Sequence, residues 1–184
     1  MDRLLRGLNV YLIGMMGSGK STVGKFLAHK LAYRFLDTDN TIETLTQKSI
    51  NKIFEEDGEE VFRTLENQVL AQVSSYLHTV ISTGGGIVLK KDNWAHLRDG
   101  MVIWLDVPVD VLVQRLKDDR SRPLLKETDL QEKLTTILAQ RKHLYAQADL
   151  TITINAEQTT EDIVAEIIKV IPSKVKPEFN PELN

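Results

Sequence analysis

Short β-branched or apolar runs alternate along this chain with longer stretches whose apolar residues return every three to four positions. The runs cover 10–13, 34–36, 79–82, 101–105 and 150–154. Each is too short to be a helix, and branched residues prefer the pleated strand, so five strands are predicted. Helical spacing is clearest in Val23, Phe26, Leu27 and Leu31, and again in Val61, Phe62, Leu65, Val69 and Val73 after Gly58. Ile50, Ile53 and Phe54 begin another such face. Ile163, Val164, Ile167, Ile168 and Ile171 form a last one, which Pro172 stops. Strands separated by helices predict an α/β architecture, a parallel sheet covered on both faces.

Three segments break the alternation. Between Asp37 and Tyr76 helices follow the second strand with no strand among them, which predicts a small substrate-binding element over about 37–76. Residues 115–128 are charged and contain Arg122-Pro123, the signature of a mobile lid between two helices. Residues 173–184 are proline-spaced and polar, predicting a disordered tail behind one domain over 1–172.

Composition narrows the chemistry. The 184 residues include no cysteine, which excludes disulfide scaffolds, thiolate metal sites and thiol nucleophiles. Twenty-three basic against 26 acidic residues give a net charge of −3, not the footprint of a nucleic-acid binder. The first residues carry charges where a signal peptide is apolar, and no apolar run is long enough to span a membrane; a cytoplasmic, monomeric protein is expected. His29, His78, His96 and His143 show no metal-ligand spacing.

The first strand runs into Gly14-Met15-Met16-Gly17-Ser18-Gly19-Lys20-Ser21, followed by Thr22 and an amphipathic helix. This is the pattern G-x-x-x-x-G-K-[ST] in its strand-to-helix context. Its glycines let successive backbone N–H groups turn toward one anion, and the helix N-terminus adds partial positive charge. Gly17, Ser18, Gly19, Lys20, Ser21 and Thr22 are therefore the candidate nucleotide cradle, with Lys20 bridging the β- and γ-phosphates of ATP and Ser21 ligating Mg²⁺.

Such a cradle leaves the acceptor undefined. Asp37 and Asp39 close the second strand two residues apart, so both carboxylates are expected to face the cleft, one taking an acceptor hydroxyl and the other organising magnesium-bound water. An Asx turn with Asp39 as helix cap is the plainer alternative. Gly84, Gly85 and Gly86 follow the third strand and admit a ligand close to the backbone, or simply make a flexible turn. Arg63 matters if the acceptor is an anion and is otherwise a solvated helix arginine; Arg141 is a second anion candidate. Arg122, presented by the rigid step to Pro123, can neutralise charge on a phosphoryl group in transfer.

Taken in order, the cradle, Leu36-Asp37-Thr38-Asp39, Phe62-Arg63, Thr83-Gly84-Gly85-Gly86, Arg122-Pro123-Leu124-Leu125, and Arg141 with Tyr145 resemble the shikimate kinase family over about residues 9–171. The resemblance implies a three-layer P-loop kinase with strand order 2-3-1-4-5. It implies transfer of the γ-phosphoryl of ATP to the 3-hydroxyl of shikimate, giving shikimate 3-phosphate and ADP. It makes Asp39 the base, places Asp37 near magnesium, and puts Arg63 and Arg141 on the acceptor carboxylate. Gly84 to Gly86 would meet the ring hydroxyls, Arg122 the phosphates, and Arg115 and Gln158 the adenine. Other small-metabolite kinases of this architecture, such as gluconate kinase, and a binding protein that has lost catalysis are the competing readings.

Overall fold

Burial along each strand sets its place in the sheet. In the computed structural model, which describes residue 5 and residues 7–117 and 127–174 (side chains of 127–129 excepted), β1 (Val10–Ile13) and β3 (Thr79–Ser82) are buried at every position. The same holds for β4 (Met101–Asp106) except at its last residue. By contrast β2 (Arg34–Asp37) has no fully buried residue, and β5 (Leu150–Thr153) alternates buried with exposed. Strands covered on both faces belong in the centre and half-covered ones at the edges. The five parallel strands accordingly run β2-β3-β1-β4-β5, with Tyr11 between Ile81 and Val102, and Leu105 beside Ile152.

The helices follow from right-handed crossovers. After β1, α1 (Lys20–Leu31) leads outward to the edge strand β2 and packs against the last helix, α8 (Thr160–Val170). Return crossovers run the other way, so α2 (Thr38–Thr46), α3 (Ile50–Glu56), α4 (Glu59–Ser74) and α5 (Lys91–Leu97) cover the opposite face. There α6 (Val109–Lys117) packs on α7 (Glu127–Tyr145). Three helices thus stand between β2 and β3 with no strand among them, as the sequence predicts for 37–76.

Caps explain where several of these elements start. Ser49 accepts from the N–H of Lys52 to open α3, and Thr159 with Asp162 forms a reciprocal capping box on α8. One buried polar residue ties the layers together: the amide of Asn9 donates to the carbonyls of Ser74 and Tyr76 and accepts from the N–H of Thr79. It fixes the end of α4 against the start of the sheet.

The short helix α5 carries no clear periodicity and was not legible in the sequence. Trp94 and Asn93 hold it, donating to the carbonyls of Val88 and Ile87 in the short 3₁₀ turn Ile87–Leu89. Of the expected lid, 115–117 belong to α6 and 127–128 to α7, while 118–126, including Arg122, lie outside the described residues, as does the expected tail beyond 174. None of the described helices is long and apolar enough to cross a membrane.

Candidate active site

The carboxyl ends of β1, β2 and β3 open on one cleft of about 1080 Å³. Open parallel sheets bind ligands at this edge. Every candidate site residue within the described segments lines it: 17–22, Asp37, Asp39, Arg63, Gly84 to Gly86, Arg115, Arg141 and Gln158.

At the cradle, Gly17 and Gly19 have φ of 76° and 91°, a left-handed backbone that side chains resist, and Gly19 starts α1 without any side-chain cap. The orphan N–H groups of the first turn are thereby left to a ligand. Lys20 is buried, and its ammonium donates to the carbonyls of Gly14 (2.9 Å) and Met15 (2.8 Å) and to the Ser18 hydroxyl (3.3 Å). Arg115 reaches over from α6 to the carbonyls of Gly17 and Ser18 at 3.4 and 3.3 Å. Gln158 is held by the N–H of Asn155 and by Glu166.

Asp37 is the joint between cradle and acceptor side. Its Oδ2 accepts from the Ser21 hydroxyl at 2.6 Å, and its Oδ1 accepts from the N–H groups of Asp39 and Asn40 at 3.0 and 3.3 Å. The helix cap is therefore Asp37 and not Asp39, which sits in the first turn of α2. The two carboxylates meet the cleft by a route the sequence reading did not foresee: not as alternate positions on one strand, but as a cap and the residue it positions. Ser82 adds a hydroxyl 3.2 Å from that of Ser21.

At the acceptor end, Arg63 on α4 donates Nη1 to Glu66 at 2.8 Å and Nε and Nη2 to Glu59 at 3.2 and 3.1 Å. Glu66 is completely buried, and its Oε1 has no hydrogen-bond partner among the described residues. Burial pushes its carboxyl above the ordinary range and nearby Asp39 adds to this, against the pull of Arg63. Glu66 lines the cleft and was not among the residues that the sequence points to. Its signal was available: it shares the buried face of α4 with Phe62, Val69, Leu70 and Val73, where a carboxylate needs a reason to be.

The three glycines also make room inside the protein itself. A Cβ on Gly84 would lie 2.8 Å from both Asp39 Oδ1 and Glu66 Oε1, and one on Gly86 would lie within 2.6 Å of three guanidinium atoms of Arg63. Two of them make room for the protein's own charged groups. Gly84 also gives its N–H to the buried Thr38 hydroxyl, and the Gly85 carbonyl accepts from Arg141 Nη1 and the Tyr145 hydroxyl. The N–H groups of Gly85 and Gly86 have no acceptor among the described residues.

A phosphate cradle at the end of β1, a parallel sheet of order 2-3-1-4-5 and a carboxylate beside paired arginines define a P-loop phosphotransferase acting on a small acceptor. Comparison with known proteins makes this specific. Residues 16–172 match the shikimate kinase family model. The shikimate kinase of Rippkaea orientalis is 57% identical over 176 residues, covering 96% of this chain and 94% of that protein. That of Nostoc sp. is 55% identical, covering 96% and 97%. Among solved structures, shikimate kinase from Acinetobacter baumannii in complex with shikimate superposes with a TM-score of 0.87 at 38% identity, covering 94% of this chain and 97% of that one. The chain belongs to the shikimate kinase family.

Proposed function

We propose that the chain transfers the γ-phosphoryl group of ATP to the 3-hydroxyl of shikimate, releasing shikimate 3-phosphate and ADP. The observation that carries this reading is the single cleft in which the Lys20 cradle and the Asp39, Arg63 and Arg141 cluster face a common space. Shikimate is a small carboxylate with vicinal hydroxyls. It calls for a cationic clamp, a carboxylate and exposed backbone donors, and the acceptor end offers all three.

The roles follow from position. The N–H groups at 17–22 and the Lys20 ammonium hold the β- and γ-phosphates, with Arg115 and Gln158 beside the base; Arg122, outside the described residues, is assigned to the phosphates on its Arg-Pro motif alone. Arg63, Arg141 and the N–H groups of Gly85 and Gly86 take the acceptor carboxylate and its neighbouring hydroxyl. Asp39 orients the 3-hydroxyl. As the new bond from that oxygen to γ-phosphorus forms and the bond to ADP breaks, the hydroxyl proton passes to the Asp39 carboxylate. The Ser21 hydroxyl and Asp37 Oδ2, 2.6 Å apart, suit Mg²⁺, which commonly takes one or two protein oxygens and completes its shell with phosphate and water. The chemistry Mg²⁺ would supply there is neutralisation of charge on the nucleotide phosphates. We place the reaction in the cytoplasm, on a monomer with no nucleic-acid or membrane partner; the net charge of −3 supports the absence of a nucleic-acid surface.

An ADP-release assay across shikimate, gluconate and nucleoside monophosphates tests the assignment. Turnover is expected with shikimate alone, and Asp39→Asn should lower it by about 10². Turnover with gluconate and none with shikimate would sink the proposal.

A further inference from the structure

Tyr145, the last residue of α7, is wholly buried, and nothing in the phosphoryl-transfer scheme uses it. Its ring stacks on Trp104 of β4 with centroids 5.7 Å apart and an interplanar angle of 23°. Its hydroxyl donates to the Gly85 carbonyl at 2.6 Å, with Met15 sulfur at 3.8 Å. One turn earlier on the same helix, Arg141 donates to the same carbonyl at 3.2 Å. Both donors thus converge on one oxygen in the middle of three glycines.

A carbonyl oxygen and the N–H of the next residue share one planar peptide and point in opposite directions. Whatever grips the Gly85 carbonyl therefore aims the Gly86 N–H. Glycines on both sides of this peptide leave ψ at Gly85 and φ at Gly86 nearly unrestrained, so the plane can rotate unless something outside the backbone holds it. The rigid side of the hold is Tyr145, anchored by stacking on a central strand. Gly85 is braced from behind as well: a Cβ there would lie 3.4 Å from the N of Met16 and 3.5 Å from the carbonyl of Gly14.

We propose that Tyr145 is a positioning residue for the acceptor carboxylate: by holding the Gly85 carbonyl it locks the 85–86 peptide plane, directing the Gly86 N–H away from α7, while Arg141 stays on the carbonyl side of that plane. This rests on the acceptor reading above. Tyr145→Phe removes one oxygen and keeps the ring, so stacking survives and Arg141 still satisfies the carbonyl. The expected result is a rise in the KM for shikimate of about 3- to 10-fold, the range of one lost neutral hydrogen bond, with kcat and the KM for ATP within about twofold. A general loosening of the fold would move both KM values together, and that result, or an unchanged KM for shikimate, overturns the proposal.

A second measurement needs neither the variant nor the substrate's identity. In ¹⁵N spectra of the ligand-free wild-type protein, the Gly86 amide should give a single sharp resonance; exchange broadening or a doubled peak would mean that the plane is not locked. Failure of wild-type protein to phosphorylate shikimate would instead overturn the acceptor reading and leave the spectroscopic result standing.

Discussion

Gly86→Ala isolates one interaction with little collateral damage. Gly86 has φ −96° and ψ 1°, a conformation open to alanine, so the substitution brings no backbone penalty of the left-handed kind. Its methyl group would overlap Nη1, Nη2 and Cζ of Arg63. Those atoms end a flexible side chain, so Arg63 moves and the loop stays. Displacement separates the guanidinium from Glu66, now 2.8 Å away, and leaves a buried carboxyl without its cation. An unsatisfied group of this kind costs about 1 to 3 kcal/mol of stability. Acceptor binding loses one charged hydrogen-bond donor, about 1.5 to 3 kcal/mol, which is about 10- to 100-fold in the Kd for shikimate. The KM for ATP should stay within about twofold, since the three atoms nearest the new methyl group all belong to Arg63 and none to the cradle. Calorimetric titration of Gly86→Ala, Arg63→Ala and the double variant checks the chain of cause. If the alanine acts through Arg63, the double variant binds about as weakly as Arg63→Ala alone; fully additive losses, or a Gly86→Ala protein with wild-type affinity, would refute the reasoning.

Two further outcomes follow from the same cluster. Glu59 occupies Nε and Nη2 of Arg63 from an exposed position and so competes with an acceptor carboxylate for those donors; Glu59→Gln should tighten shikimate binding by about twofold, the scale of an exposed i,i+4 pair, in the same titration. Glu66 predicts a pH dependence: because burial raises its carboxyl above the ordinary 4.5, the folded chain holds a proton that the unfolded chain releases just above that value. Stability from this group therefore falls as pH climbs from 4.5 through the raised value, and Glu66→Gln should flatten that part of a plot of urea midpoint against pH.

How much of this was legible in the sequence depended on whether a residue's reason lay beside it in the chain. The strands and the main amphipathic helices are written in local periodicity, and the cradle in a contiguous motif whose glycines and lysine need only the next turn of helix to make sense. Asp39 was singled out for a strand geometry that Asp37 cuts short by capping α2, and it lines the cleft from the first turn of that helix instead. Gly84 and Gly86 were read as room for a ligand, because the atoms filling that room, Asp39, Glu66 and Arg63, come from α2 and α4. Glu66 looked like one more helix glutamate until its burial was known. Tyr145 stood out only as part of an ordered set, since its hydrogen-bond partner lies 60 residues away.

The divided carboxylate of Asp37 has a consequence for variation. An asparagine there caps α2 with its carbonyl oxygen and turns an amide N–H to the Ser21 hydroxyl, but it removes the negative charge beside that hydroxyl. A glutamate is one methylene too long to open the helix at the same residue, and it is a poor cap in any case. The two chemically nearest replacements thus fail on opposite sides of the cleft: asparagine keeps the start of α2 and loses the charge beside Ser21, and glutamate keeps the charge and loses the cap.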